Sequence, residues 1–129
     1  MAKKSVALTE TEWSVIKVVW EDEPCTAPAV QEKLRGRTGW TYSTVRTIMD
    51  RMVTKGLLSA QKAGKITLFR SAVTRRQAQR GELLYALKNA FNGALTPMLQ
   101  CLLDSGELSS QELDELESLI QARKQERKK

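Results

Sequence analysis

Hydrophobic positions along the chain follow a helical period first. Trp13, Ile16, Val19 and Trp20 recur at that spacing behind Thr9-Glu10-Thr11-Glu12, where Thr9 and Glu12 stand at the separation of a reciprocal capping box. The spacing predicts a first helix from this cap to Trp20, ended by Glu21-Asp22-Glu23 and Pro24. A second start lies at Thr26, with Pro28 in the first turn, where a missing N–H costs little. Ala27, Val30 and Leu34 form its apolar stripe, and Gly36 and Gly39 provide the exit. A third start follows at Thr41. There Val45, Ile48, Met49, Met52 and Val53 share one face, and Gly56 supplies a left-handed position after Lys55.

The period then changes. Leu57 to Val73 is rich in Thr, Val, Leu and Phe around Lys62-Ala63-Gly64-Lys65, which reads as a hairpin with a basic tip. Three short helices and a two-stranded ribbon make the order of a winged helix-turn-helix. The rest reads as helical. Thr74 and Gln77 box a fourth helix carrying Leu83, Leu84, Leu87, Ala90 and Phe91, and Gly93 weakens its end. Thr96-Pro97 is expected to cap a short helix with Leu99, Leu102 and Leu103, stopped by Gly106. Ser109 and Glu112 box a last helix striped by Leu113, Leu116 and Ile120, with Leu108 and Leu113 placed as a hydrophobic staple. The charged tail from Arg123 to Lys129 is expected to fray.

The expected fold is therefore mostly α with a small β-hairpin wing: a winged helix-turn-helix over residues 1–73, then a helical region over 74–129. A piece of about 55 residues is marginal as an independent core. Its apolar stripes predict a dimerisation arm; the alternative is that they fold back onto the N-terminal half.

Composition narrows the function. In 129 residues no apolar run approaches the roughly 20 that a spanning helix needs, so no membrane insertion is expected. Met1-Ala2-Lys3-Lys4-Ser5 has no apolar stretch behind it, so a secretory signal is not expected and the expected location is cytoplasmic. Histidine is absent, which removes Ser-His-Asp and Cys-His catalysis and any zinc site with a His ligand. Cys25 and Cys101 form no paired motif and are expected to be reduced, partly buried thiols. No glycine-rich phosphate loop occurs. Glu112, Asp114, Glu115 and Glu117 read as a solvated helix face. No catalytic residue, cofactor or metal is expected.

Charge supplies the positive signal. The net charge is +6, but Lys33 to Arg75 carries ten basic residues against the single acid Asp50, a net +9, and everything after Arg75 is neutral. A localised positive block is the footprint of a nucleic-acid binder. With the apolar face of the third helix turned inward, Ser43, Thr44, Arg46, Thr47, Asp50 and Arg51 must face outward. Small hydroxyls at a helix start, Thr41 included, approach phosphates and base edges without clashing. Arg46 has the reach and fork geometry for guanine O6 and N7. Trp13, Trp20 and Trp40 read as packing residues, since three Trp, two Tyr and two Phe are too few for a base-stacking sheet.

Several of these segments together resemble the BlaI/MecI-type repressors, winged-helix regulators of β-lactamase and methicillin-resistance genes. The resemblance rests on Thr11-Glu12-Trp13 through Val19-Trp20, on Trp40-Thr41 with Thr44-Val45-Arg46-Thr47, and on Arg51 and Lys55-Gly56-Leu57. Leu108-Ser109, Glu112-Leu113 and Glu115-Leu116 extend it to the last helix. It implies a homodimer that binds an inverted-repeat operator in double-stranded DNA and represses transcription. Ser43, Thr44, Arg46 and Thr47 would contact DNA, with the wing from Lys62 to Lys65 on the backbone.

The resemblance also implies a membrane sensor protease as partner, with the family's cleaved bond aligning at Cys101-Leu102; the alternative is that these two are only core residues of a short helix. The antibiotic-responsive members carry Asn-Phe there, and copper-responsive relatives carry clustered C-terminal cysteines that this chain lacks. The rival expectation is a winged-helix interaction module that binds protein and does not read DNA.

Overall fold

The computed structural model describes residues 7–128. It holds six helices and one hairpin in the order α1 (Glu10–Asp22), α2 (Ala27–Thr38), α3 (Tyr42–Thr54), β1 (Leu58–Ala63), β2 (Ile66–Ser71), α4 (Arg75–Phe91), α5 (Leu95–Asp104) and α6 (Ser110–Arg127). This is the expected mostly helical architecture with a two-stranded wing. The chain divides into two compact units, one up to Tyr85 and one from Ala86.

Local chemistry sets the starts in the first unit. Thr9 Oγ1 accepts the Glu12 N–H at 3.2 Å while Glu12 Oε1 accepts the Thr9 N–H at 2.9 Å, completing the box at α1. Thr26 and Thr41 cap α2 and α3 through the N–H groups of Ala29 and Thr44. One expected exit moves: α2 runs straight through Gly36 to Thr38. A helix ends where the backbone turns left-handed, and Gly39 does so at φ +67°, its N–H donating to the Arg35 carbonyl at 3.0 Å.

The core of this unit gathers Val15, Ile16 and Val19 of α1, Val30 and Leu34 of α2, and Val45, Met49 and Met52 of α3. Leu58 and Phe69 of the hairpin and Ala78 of α4 join them, with Trp13, Trp20 and Trp40 packed partly buried around the cluster. Trp20 Nε1 donates to Ser71 Oγ at 2.9 Å and to the Val73 carbonyl at 3.1 Å, tying α1 to the chain leaving the wing.

β1 and β2 pair antiparallel from Leu58↔Ser71 to Ala63↔Ile66, which leaves Gly64-Lys65 as a two-residue turn. Gly64 sits at φ +67°, the first central position of a glycine-first hairpin turn. Sequence periodicity did not show the bridge between Cys25 and Phe69, closed by N–H···O bonds of 3.1 and 2.7 Å, which docks the α1–α2 connection on the wing.

The second unit contains the end of α4, then α5 and α6. Asn92 and Gly93, at φ +51° and +81°, end α4. The expected Thr96 cap is not what starts α5: the helix begins at Leu95, and its N-cap Ala94 makes no side-chain bond. Pro97 falls in the first turn, where it removes an N–H that had no acceptor, so the helix can begin before Thr96. The Ser109–Glu112 box opens α6, with bonds of 2.9 and 3.1 Å.

The expected frayed tail is instead helical through Arg127. Its Arg, Lys, Gln and Glu residues favour helix, and Lys124 and Arg127 suit the negative end of the dipole. The expectation of two partly buried thiols fails for one of them: Cys25 is buried, but Cys101 on α5 is exposed. Burial, with Asp22 and Glu23 nearby, pushes the Cys25 thiol above its ordinary value. No residue from Ala86 to Lys128 is buried.

Candidate nucleic-acid interface

The turn Gly39-Trp40-Thr41 presents α3. Gln31 Nε2 donates to the Trp40 carbonyl at 3.2 Å, and Thr38 Oγ1 accepts the Trp40 N–H at 3.1 Å, so the three-residue connection is held at both sides. Such a short, glycine-containing joint between two helices is the helix-turn-helix arrangement. Val45, Met49 and Met52 are buried beneath α3, which leaves Ser43, Thr44, Thr47 and Arg51 exposed on its other side. Thr41 Oγ1 also donates to Thr44 Oγ1 at 3.2 Å, so these two hydroxyls already hold each other. Thr47 and Arg51 point outward without a side-chain partner among the described residues.

The far end of α3 is anchored on α1. Lys55, the C-cap of α3, donates through Nζ to Glu12 Oε2 at 2.5 Å, and Glu12 is buried. One carboxylate thus closes the α1 capping box and pins the end of α3. Burial alone would raise the Glu12 carboxyl; the Lys55 ammonium and the Thr9 donors outweigh it and hold the carboxyl below its ordinary value.

Arg46 is half-buried rather than extended into solvent. Its Nε donates to Asp50 Oδ1 at 3.1 Å and its Nη1 to the Tyr42 hydroxyl at 3.3 Å. Its Cζ lies 5.6 Å from the centroid of the Phe69 ring on β2. The Tyr42 hydrogen bond, and then Asp50, shift the guanidinium further up from its already high value. Tyr42 was not singled out in the sequence, although its i−4 spacing from Arg46 is the signal that finds it.

Pairing thins the positive block. Lys33 meets Asp22 at 2.9 Å, Arg35 meets Glu32 at 2.8 Å, and Arg46 and Lys55 have the acids just described. Arg75 lies over Trp20, its Cζ 4.7 Å from the ring centroid. Among the described residues Arg37, Arg51, Lys62, Lys65 and Arg70 carry no carboxylate partner, and all five are exposed. Lys62 and Lys65 stand at the wing tip, and α3 packs against β1. The predicted set Thr41, Ser43, Thr44, Arg46, Thr47 and Arg51 thus lies on α3 and its cap, with Lys62 and Lys65 on the adjoining hairpin. Cys101 and Leu102 belong to α5, in the other unit, and both are exposed.

A helix presented by a glycine turn, pinned at its far end and flanked by a basic hairpin, defines the class: a winged helix-turn-helix regulator. A sequence profile described as penicillinase repressor matches residues 8–122. The chain belongs to the penicillinase repressor family, whose members are transcriptional repressors and not enzymes.

Among its relatives, the penicillinase repressor of Bacillus licheniformis is 25% identical over 126 residues, covering 98% of each chain. The methicillin resistance regulatory protein MecI of Staphylococcus aureus strain N315 is 22% identical over 120 residues, covering 93% of this chain and 98% of its own. The solution structure of monomeric Bacillus licheniformis BlaI in complex with the blaP half-operator has a TM-score of 0.51 and 24% identity. That likeness covers 59% of this chain and 93% of the other.

Proposed function

We propose that the protein is a cytoplasmic, sequence-specific transcriptional repressor that binds an inverted-repeat operator in double-stranded DNA as a homodimer. Residues 1–73 read the DNA and residues 74–129 hold two copies together. Ala78 and Gly81, buried at the start of α4, make that helix the joint between the two roles. The observation that carries the reading is the set of unpaired bases on α3 and the wing, on the chain's one strongly positive segment.

Ser43, Thr44, Thr47 and Arg51 meet phosphates and base edges, Thr41 orders the helix start, and Arg46 reads a base. Lys62 and Lys65 lie along the backbone as charge contacts. A membrane sensor protease cutting at Cys101-Leu102, both exposed on α5, would relieve repression by separating α6 from the DNA-reading half and removing the affinity gained from paired sites. Mass spectrometry of the protein from induced cells checks that step: intact chains alongside full derepression would exclude it.

Binding to duplex DNA across a salt series tests the main reading. Affinity is expected to fall steeply with salt, and Lys65→Ala to lower the logarithmic slope by about one while weakening all sequences alike. Arg46→Ala should cost about 1–3 kcal/mol on the preferred site and relax preference at one position. A salt-independent interaction, or none with duplex DNA, would replace this reading with a protein-binding role for the fold.

A further inference from the structure

We propose that Asp50 and Tyr42 are positioning residues for Arg46: they fix its guanidinium before DNA arrives and so set how sharply it discriminates bases. The inference rests on the reading of Arg46 as a base contact. Three observations meet at this side chain. Asp50 Oδ1 accepts Nε–H at 3.1 Å from one turn ahead, and the Tyr42 hydroxyl accepts an Nη1 hydrogen at 3.3 Å from one turn behind. The Phe69 ring provides a floor 5.6 Å from Cζ. A side chain that otherwise samples many rotamers is tied at two nitrogens, and both ties move with α3 as one body.

The committed nitrogens also decide which edge is offered. A guanidinium has five N–H donors in a rigid fork. With Nε given to Asp50, the side-on fork that Nε forms with its neighbouring amino group is closed. Nη2 keeps both its donors, without a partner among the described residues. Readout therefore comes from the far end of the side chain, where guanine O6 and N7 are suitable acceptors.

Asp50 has an opposing effect as well. It is the only acid between Lys33 and Arg75 and faces outward, so it repels phosphate and weakens binding to every duplex alike. Fixing Arg46 raises the penalty for a wrong base. Asp50 thus exchanges general affinity for discrimination, which is a difference between affinities.

The test is selection from a duplex library randomised across two half-sites, using the full chain and its Arg46→Ala, Asp50→Ala, Asp50→Asn and Tyr42→Phe variants. Asp50 and Tyr42 are both exposed, so these changes leave the core untouched. Arg46→Ala is expected to erase the preference at one position. Asp50→Ala should bind unselected duplex more tightly, yet lose about two- to ten-fold of preference at that same position, the immobilisation cost of one long side chain. Asp50→Asn keeps the acceptor oxygen without the charge, so it should raise general affinity and retain the preference. Tyr42→Phe should lower the preference without changing the salt slope.

If Arg46→Ala erases the preference and Asp50→Ala leaves it intact, the positioning role is overturned and base reading stands. An Arg46→Ala variant with unchanged preference overturns base reading, and the positioning role with it.

Discussion

Among the described residues, sixteen hydrophobic side chains are buried between Leu8 and Ala78, whereas from Ala86 to Lys128 no residue is buried at all. Both stretches are largely helical and both carry apolar stripes. In the first, the stripes of three helices and a hairpin converge on Phe69, Met49 and Ile16, so the unit closes its own core. In the second, Leu95, Leu99, Leu102, Leu103, Leu113, Leu119 and Ile120 remain exposed. The contrast separates a part that buries its own apolar stripes from a part that leaves its own exposed. It matches the proposed division between reading DNA and joining two copies.

Truncating the core should have the largest effect. Phe69→Ala removes a fully buried ring and is expected to cost about 3–5 kcal/mol in denaturant unfolding. The same variant also removes the floor under Arg46. A loss no larger than that of a surface substitution would break the claim that the first unit closes on itself.

Next come the leucines of the second unit. Leu103→Ser and Leu119→Ser should leave unfolding of the first unit unchanged but weaken self-association, by about 1.5–3 kcal/mol for each leucine buried at the contact. Sedimentation of the full chain reads this directly; an unaltered profile would argue that these side chains are covered by nothing.

A smaller effect belongs to the buried carboxylate. Glu12 is held below its ordinary value, so its contribution to stability is present above the unfolded carboxylate range and is lost as pH falls through the lower folded value. Glu12→Gln keeps the capping geometry and should cost about 0.5–1.5 kcal/mol near neutral pH, the net worth of a typical hydrogen bond. That gap should close as the solution is acidified. Urea unfolding of both proteins across the acid range checks it, and a gap constant with pH would sink the argument.

The legibility of the sequence follows the range of the interactions. Thr9, Thr26, Thr41, Thr74 and Ser109 could be read as helix starts because a cap acts over three residues. The buried face of α3 was legible for the same reason. Gly36 and Gly39 are equal in sequence, and only the left-handed backbone of Gly39 separates an exit from a passage. The Cys25–Phe69 bridge and the Glu12–Lys55 pair join residues more than forty positions apart, which no periodicity reveals. At the site, spacing placed Arg46 on the outward side of α3 but did not show that Tyr42, Asp50 and Phe69 already engage it. Those contacts depend on a rotamer and on the wing folding beneath the helix.

The most direct test of the account counts chains on DNA. Full-length protein titrated into a selected duplex with two half-sites, followed by ultracentrifugation, should give two chains per duplex. The half-sites should lie one or two helical turns apart, at about 34–36 Å per turn. Cutting the duplex to one half-site, or ending the chain at Tyr85, should remove the gain in affinity. One chain per duplex, or equal affinity for one and two half-sites, would contradict the claim that the first unit reads DNA while the second joins two copies.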